Sequence, residues 1–170
     1  MEDSMRTLSL CATLALLPAS AFAQDATANL MGPDGSDMGR VTLTQTPNGV
    51  IVSLDAQGLD EGEHGFHVHE TGACSPDFEA AGGHYNPTGA EHGMKNEAGA
   101  HAGDMPNIYA DAEGGAKADA FLHDVSLDEG AEGTLFDDDG SAIIIHAQAD
   151  TYEAEAGAGD RVACGIIEEN

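Results

Sequence analysis

The sequence predicts an all-β domain, a sandwich or Greek-key barrel of eight short strands. Short alternating or β-branched runs recur between clusters of Gly, Pro, Asn and Asp, the punctuation of strands and turns. No long stretch carries the 3.6-residue apolar period of an amphipathic helix. At 170 residues the chain is long enough for one domain with a proper core.

The first element reads as a secretory signal, residues 1–23, and the domain as 24–170. Met5-Arg6 supplies a basic start, 8–17 an apolar stretch, and Ala21-Phe22-Ala23 a small-residue cleavage site before Gln24. Glu2 and Asp3 are foreign to such a start and point to Met5 as the initiator. The apolar stretch is too short to span a bilayer, so no membrane attachment is expected after cleavage. Strands follow at 26–31, at 41–45 and 50–54 around the hairpin signal Pro47-Asn48-Gly49, and at 64–70. A glycine-rich loop at 71–106 comes next, long enough to need ordering by metal or disulfide. Runs at 107–111 and 116–122 flank Ala112-Glu113-Gly114-Gly115 as a second hairpin, and 143–146 and 162–167 complete the set.

The chain is strongly acidic, with 31 Asp and Glu against 5 Lys and Arg for a formal −26. With no basic patch to meet phosphates, nucleic acid is excluded as a partner. The acid is dispersed, as on a highly solvated surface suited to high ionic strength. Export leaves Cys74 and Cys164 in an oxidising compartment where they can pair, the alternative being two buried thiols.

Seven of the eight histidines fall between His64 and His101 or at His146. In Gly65-Phe66-His67-Val68-His69-Glu70 the strand period of two puts His67 and His69 on one face and Phe66 and Val68 toward a core. With His146 they form a three-nitrogen set on strands, short of the tetragonal set copper prefers. His84, His92, His101 and Asp104 make a closed set of three nitrogens and one oxygen, suited to tetrahedral zinc. His84 could serve both ions, one ring nitrogen each. Singly these signals are weak: an H-x-H strand is more often a plain surface or core pair, and Asp104 alone a turn residue. His64 and His123 read as structural. Asp137-Asp138-Asp139-Gly140 lacks the alternating spacing and distal Glu of a calcium loop and reads as a solvated turn.

Taken jointly, the pattern resembles the copper/zinc superoxide dismutase family, in its secreted or periplasmic bacterial type, over essentially the whole chain after 23. The matching stretches are Gly65-Phe66-His67-Val68-His69-Glu70, Gly83-His84-Tyr85-Asn86-Pro87, Glu91-His92-Gly93 and His101-Ala102-Gly103-Asp104. Two more follow, His146-Ala147-Gln148-Ala149-Asp150 and Arg161-Val162-Ala163-Cys164-Gly165-Ile166-Ile167. The resemblance implies an eight-stranded antiparallel Greek-key β-barrel, an immunoglobulin-like sandwich with long metal-binding and disulfide loops. It assigns one copper to His67, His69, His84 and His146, one zinc to His84, His92, His101 and Asp104, and a disulfide to Cys74 and Cys164. Asp150 matches a carboxylate that bonds one copper and one zinc histidine, here His67 and His92. Arg161 matches the cation that attracts and orients superoxide, and His84 the imidazole that delivers a proton to peroxide.

The activity implied is conversion of superoxide to dioxygen and hydrogen peroxide by alternating reduction and oxidation of histidine-bound copper beside a structural zinc. Two departures stand out. Residues 147–160 form a shorter loop than in animal members and contain no lysine. The segment 74–84 is compact and lacks an insertion of some periplasmic members, so a homodimer is left open but their mode of pairing is not carried over. The rival readings are a non-catalytic periplasmic copper- and zinc-binding protein, which needs neither Arg161 nor Asp150, and a two-zinc hydrolase, which needs carboxylates and a general base in the first set.

Overall fold

Alternation of small apolar residues builds the first strands of the structure, a computed structural model that describes residues 25–170. The signal reading at 1–23 lies outside the described residues. In β1, Asp25–Met31, residues Ala26, Ala28 and Leu30 turn inward and are buried. β2, Asp37–Thr46, and β3, Gly49–Ala56, bury Val41, Leu43, Val50, Val52 and Leu54 on the same face. Their hairpin closes with Thr46 opposite Gly49. Gly49 has a φ of +137°, and a Cβ there would meet the Leu122 carbonyl oxygen at 2.1 Å, so glycine is required.

The other strands are β4 Gly62–His64, β5 Phe66–His69, β6 Ile108–Ala110, β7 Ala116–Leu122, β8 Ala142–His146 and β9 Arg161–Glu169. Seven antiparallel strands in the order β5-β8-β9-β1-β2-β3-β7 curl into a half-barrel, and β4 pairs with β6 as a small second sheet. Ile143 and Ile145 of β8 enter the main core with Phe66, Val68, Leu127 and Leu135. Ile144 faces the other way and packs with Ala81, Ala142 and Cys164 beneath the 3-10 turn Phe78–Ala81, which Asp77 caps by accepting from Glu79 N. Cys74 and Cys164 are disulfide-bonded, fastening the loop after β5 to β9.

The all-β fold expected from sequence is present, with two differences in detail. Nine strands form among the described residues, because the run 64–70 divides at Gly65. The Gly65 N donates to Gln148 O at 2.8 Å and its carbonyl accepts from His146 N at 2.9 Å, so the main chain changes partners there. β4 goes to the small sheet and β5 to the large one. The second difference lies at 107–122. The turn closes, with Asp111 N bonded to Gly115 O at 2.9 Å, but β6 pairs with β4 while β7 pairs with β3. The two arms therefore leave the turn into different sheets rather than forming a paired hairpin.

The long loop at 71–106 returns twice to the free edge of β5. Glu70 N bonds Gly83 O, Tyr85 N bonds Val68 O and Val68 N bonds Gly103 O, each at 2.9 Å. A Cβ on Gly103 would lie 2.4 Å from Val68 O, so this approach needs a residue without a side chain. These bonds place His84 beside His69 and Asp104 beside His67. No helix among the described residues is long and apolar enough to cross a membrane.

Candidate metal centre

Strand β5 presents His67 and His69 from one face with ring centroids 6.4 Å apart. His146, at the end of the neighbouring β8, brings its ring to 5.1 Å from His67, and His84 from the loop comes to 4.1 Å from His67. One ring nitrogen of each of these four histidines falls in a group spanning no more than 4.8 Å. His84, His92, His101 and Asp104 supply a second group within the same limit. His84 belongs to both. Its Nδ1 lies 2.7 Å from Asp104 Oδ1, which leaves Nε2 for the first group.

Orientation of the rings follows from what each remote nitrogen does. His67 Nε2 donates to Asp150 Oδ2 at 2.8 Å, His69 Nδ1 to Gly82 O at 3.0 Å and His146 Nδ1 to Gly159 O at 3.2 Å. His92 Nε2 donates to Asp150 Oδ1 at 3.2 Å. A proton held on the remote nitrogen leaves the inward nitrogen with a free lone pair. The inward atoms His67 Nδ1, His69 Nε2, His146 Nε2, His92 Nδ1 and His101 Nδ1 are buried and have no hydrogen-bond partner. His92 Nδ1 does lie 3.0 Å from Asp104 Oδ2, close but without hydrogen-bond alignment. Buried polar atoms left unpaired in this way are rare, and convergent lone pairs are what a bound cation satisfies. The first group offers nitrogen alone and the second three nitrogens and a carboxylate, donor sets that suit copper and zinc respectively.

The family model for copper/zinc superoxide dismutase (SODC) matches residues 38–167. The chain belongs to the copper/zinc superoxide dismutase family. It is similar to superoxide dismutase [Cu-Zn] 2 of Aquifex aeolicus, 42% identical over 164 residues that cover 93% of this chain and 95% of the relative. The superoxide dismutase [Cu-Zn] of Caulobacter vibrioides is 45% identical over 148 residues, 84% of each chain. Among solved structures, a SOD-like protein from Bacillus subtilis superposes with a TM-score of 0.78 at 37% identity, over 82% of this chain and 96% of that one. The Cu/Zn superoxide dismutase from Brucella abortus does so with a TM-score of 0.69 at 30% identity, over 85% and 99%.

Within this dismutase fold, Arg161 at the start of β9 donates from Nη1 to Phe78 O and from Nη2 to Gly82 O, both at 2.7 Å. Gly82 O thus meets both Arg161 and His69. His64 and His123 stand outside the two groups. The His64 ring lies 2.7 Å from His146 O and 2.8 Å from Asp60 O, pinning the main chain that carries His146, and His123 packs edge-on against Phe121. Residues 137–140 form a turn with Gly140 N bonded to Asp137 O. Sequence reasoning missed Glu70 as a support, although it ends a recognised motif: its Oε1 accepts from Gly83 N at 2.8 Å, fixing the residue before His84. Asn107, which bonds both main-chain groups of Asp150, carried no sequence signal at all.

Burial pushes the metal-free histidines down, His69 to about 2 and His146 to about 4, with His67 lowered for the same reason. For Asp150 burial acts to raise the carboxyl, but hydrogen bonds from His67, Tyr152 N and His92 outweigh it and hold it at about 2. The sign for stability is therefore fixed. Unfolded histidines take up protons below about 6.5 that the folded rings refuse, so folding stability falls as pH falls. The denaturation midpoint of metal-free protein should drop steadily between about pH 6.5 and 5, before most surface carboxylates titrate. A flat midpoint across that window would contradict the buried, neutral state of these rings.

Proposed function

We propose that this protein is a superoxide dismutase, with copper held by His67, His69, His84 and His146 and zinc by His84, His92, His101 and Asp104. The observation that carries the reading is the all-imidazole group whose inward nitrogens lack partners, set on the same Gly82 carbonyl that holds Arg161. When bound, copper supplies the one-electron couple by which one superoxide becomes dioxygen and another becomes peroxide, while zinc adds charge without redox chemistry.

The chain's own residues do the rest. Arg161, locked by two carbonyls, keeps a fixed cation where an anionic substrate must dock. The His84 ring, shared by both groups, can take a proton on the nitrogen facing the first group and hand it to departing peroxide. Asp150 holds His67 and His92 in one tautomer each. A passive metal buffer has no use for Arg161, and a two-zinc hydrolase has no base in an all-nitrogen first group. The disulfide and the small-residue cleavage site at 21–23 support an exported, periplasmic location.

Salt dependence tests the role of Arg161. Cleavage after Ala23 removes Glu2, Asp3 and Arg6, changing the formal −26 to −25, a field that repels superoxide. Of the four Lys and Arg in 25–170, Lys117 pairs with Asp55, Arg40 bonds Asn29 and Lys95 bonds Thr151 O, while Arg161, 3.4 Å from the exposed Glu79 carboxylate, is the one that shares Gly82 O with His69. Screening weakens the distant repulsion before the short-range attraction, so the catalytic rate should stay flat or rise up to about 0.5 M salt. Arg161→Ala should be slower at every salt concentration, by about tenfold. A steep fall in the parent would mean that an unrecognised basic rim still guides the substrate, and an unchanged rate in the variant would remove Arg161 from the mechanism. No superoxide consumption by copper- and zinc-loaded protein would remove the proposed function itself.

A further inference from the structure

Asp150 stands on a loop, yet its carboxylate meets imidazoles from two different parts of the chain at 2.8 and 3.2 Å. A loop carboxylate free to turn could not keep both contacts, so something must hold its main chain. Asn107 does this from one side. Its Nδ2 donates to Asp150 O and its Oδ1 accepts from Asp150 N, both at 2.8 Å, as a neighbouring strand would. Asn107 is held in turn, because its own N donates to the Tyr152 hydroxyl at 2.7 Å.

Tyr152 closes the circle. Its N donates to Asp150 Oδ1 at 2.7 Å, which directs the carboxylate as well as the backbone. It is also the one non-glycine residue with positive φ among those described, at +63°. Such a backbone costs about 1–3 kcal/mol and persists where the surroundings over-determine it. They do so here from the segment that carries His92. Lys95 N donates to Tyr152 O at 2.9 Å, its Nζ donates to Thr151 O at 3.1 Å, and the ammonium lies 5.4 Å from the Tyr152 ring centre. Gly93 comes so near that a Cβ would sit 2.4 Å from Tyr152 O.

We propose that Asn107 and Tyr152 are positioning residues that clamp Asp150 from both sides, so that its carboxylate spans His67 and His92 and sets how tightly the second group holds zinc. This rests on Asp150 orienting the metal histidines, as described under Proposed function. The test compares Asn107→Ala, Tyr152→Phe and Asp150→Ala with the parent. Zinc affinity is measured by competition with a chromophoric chelator, and the visible spectrum of cobalt(II) in the same pocket reports ligand geometry. Asp150→Ala should bind zinc about 10–100-fold more weakly, and Asn107→Ala should fall in the same range with an altered cobalt spectrum. Tyr152→Phe removes one hydroxyl and should cost about 2–10-fold. Its metal-free unfolding midpoint should stay near the parent's, which separates positioning from general support and keeps the test open if Asn107→Ala does not fold. Parent-like zinc binding in Asn107→Ala and Tyr152→Phe, with Asp150→Ala impaired, would overturn the clamp alone. Parent-like binding in Asp150→Ala would overturn the reading beneath it.

Discussion

Protein loaded with zinc in both groups and freed of copper should fold normally and consume superoxide no faster than buffer does. Zinc has one stable oxidation state, so it can satisfy the orphaned ring nitrogens without providing an electron. The remote nitrogens of His67, His69, His92 and His146 are bonded to the protein itself, so protein contacts orient these rings. Loss of copper should therefore leave circular dichroism unchanged while activity disappears, and adding copper back should restore it. Replacing His146 by Ala removes one of four nitrogens from the first group and none from the second. That variant should keep its zinc and lose copper affinity and activity together. Full activity with zinc alone would overturn the copper assignment.

Opening the disulfide should have the largest effect on stability. Cys74 and Cys164 are 90 residues apart, and a chain-entropy estimate for a loop of that size is about 4–5 kcal/mol. Each 1.4 kcal/mol is about tenfold, so the folding constant of the doubly Ser-substituted protein should fall about 10³-fold. The bridge also has a local task. It ties to β9 the segment whose Phe78 and Gly82 carbonyls hold Arg161, and Gly82 O also meets His69. Activity should accordingly fall in protein that still folds, while zinc, bound on the other side of His84, stays in place. Urea titration of metal-free parent and Cys74→Ser/Cys164→Ser protein measures the first effect. A loss below about 1 kcal/mol would mean that the unfolded chain is already restrained or that the bridge stores strain.

Some parts of this molecule are plain in the amino-acid sequence for physical reasons. The period of two makes His67 and His69 neighbours on one face as soon as 66–69 is read as a strand. The inward alternation of β1 to β3 is equally direct. The identities of His84, His92, His101 and Asp104 were visible as ligand types, but their place was not. Main-chain hydrogen bonds to β5 put them there, and any residue can make such bonds; Gly103, where a Cβ would strike Val68 O, is the exception that leaves a trace. The break at Gly65 was hidden for the same reason, because a change of backbone partner leaves the side-chain pattern of 64–70 intact. Glu70, Asn107 and Tyr152 act through side-chain hydrogen bonds to distant backbone, for which no spacing rule exists. Arg161 carried meaning only through its family resemblance, since one arginine at the start of a strand has no signature of its own.

The central claim is that two adjacent donor groups share His84 and divide copper from zinc. It is tested most directly by metal analysis joined to electron paramagnetic resonance of the purified protein. The account predicts one copper and one zinc per chain, with a Cu(II) signal typical of a tetragonal nitrogen field. Because one imidazole serves both groups, removing zinc alone should change that signal while copper stays bound. Copper spread over both groups, or a Cu(II) spectrum indifferent to the presence of zinc, would contradict it.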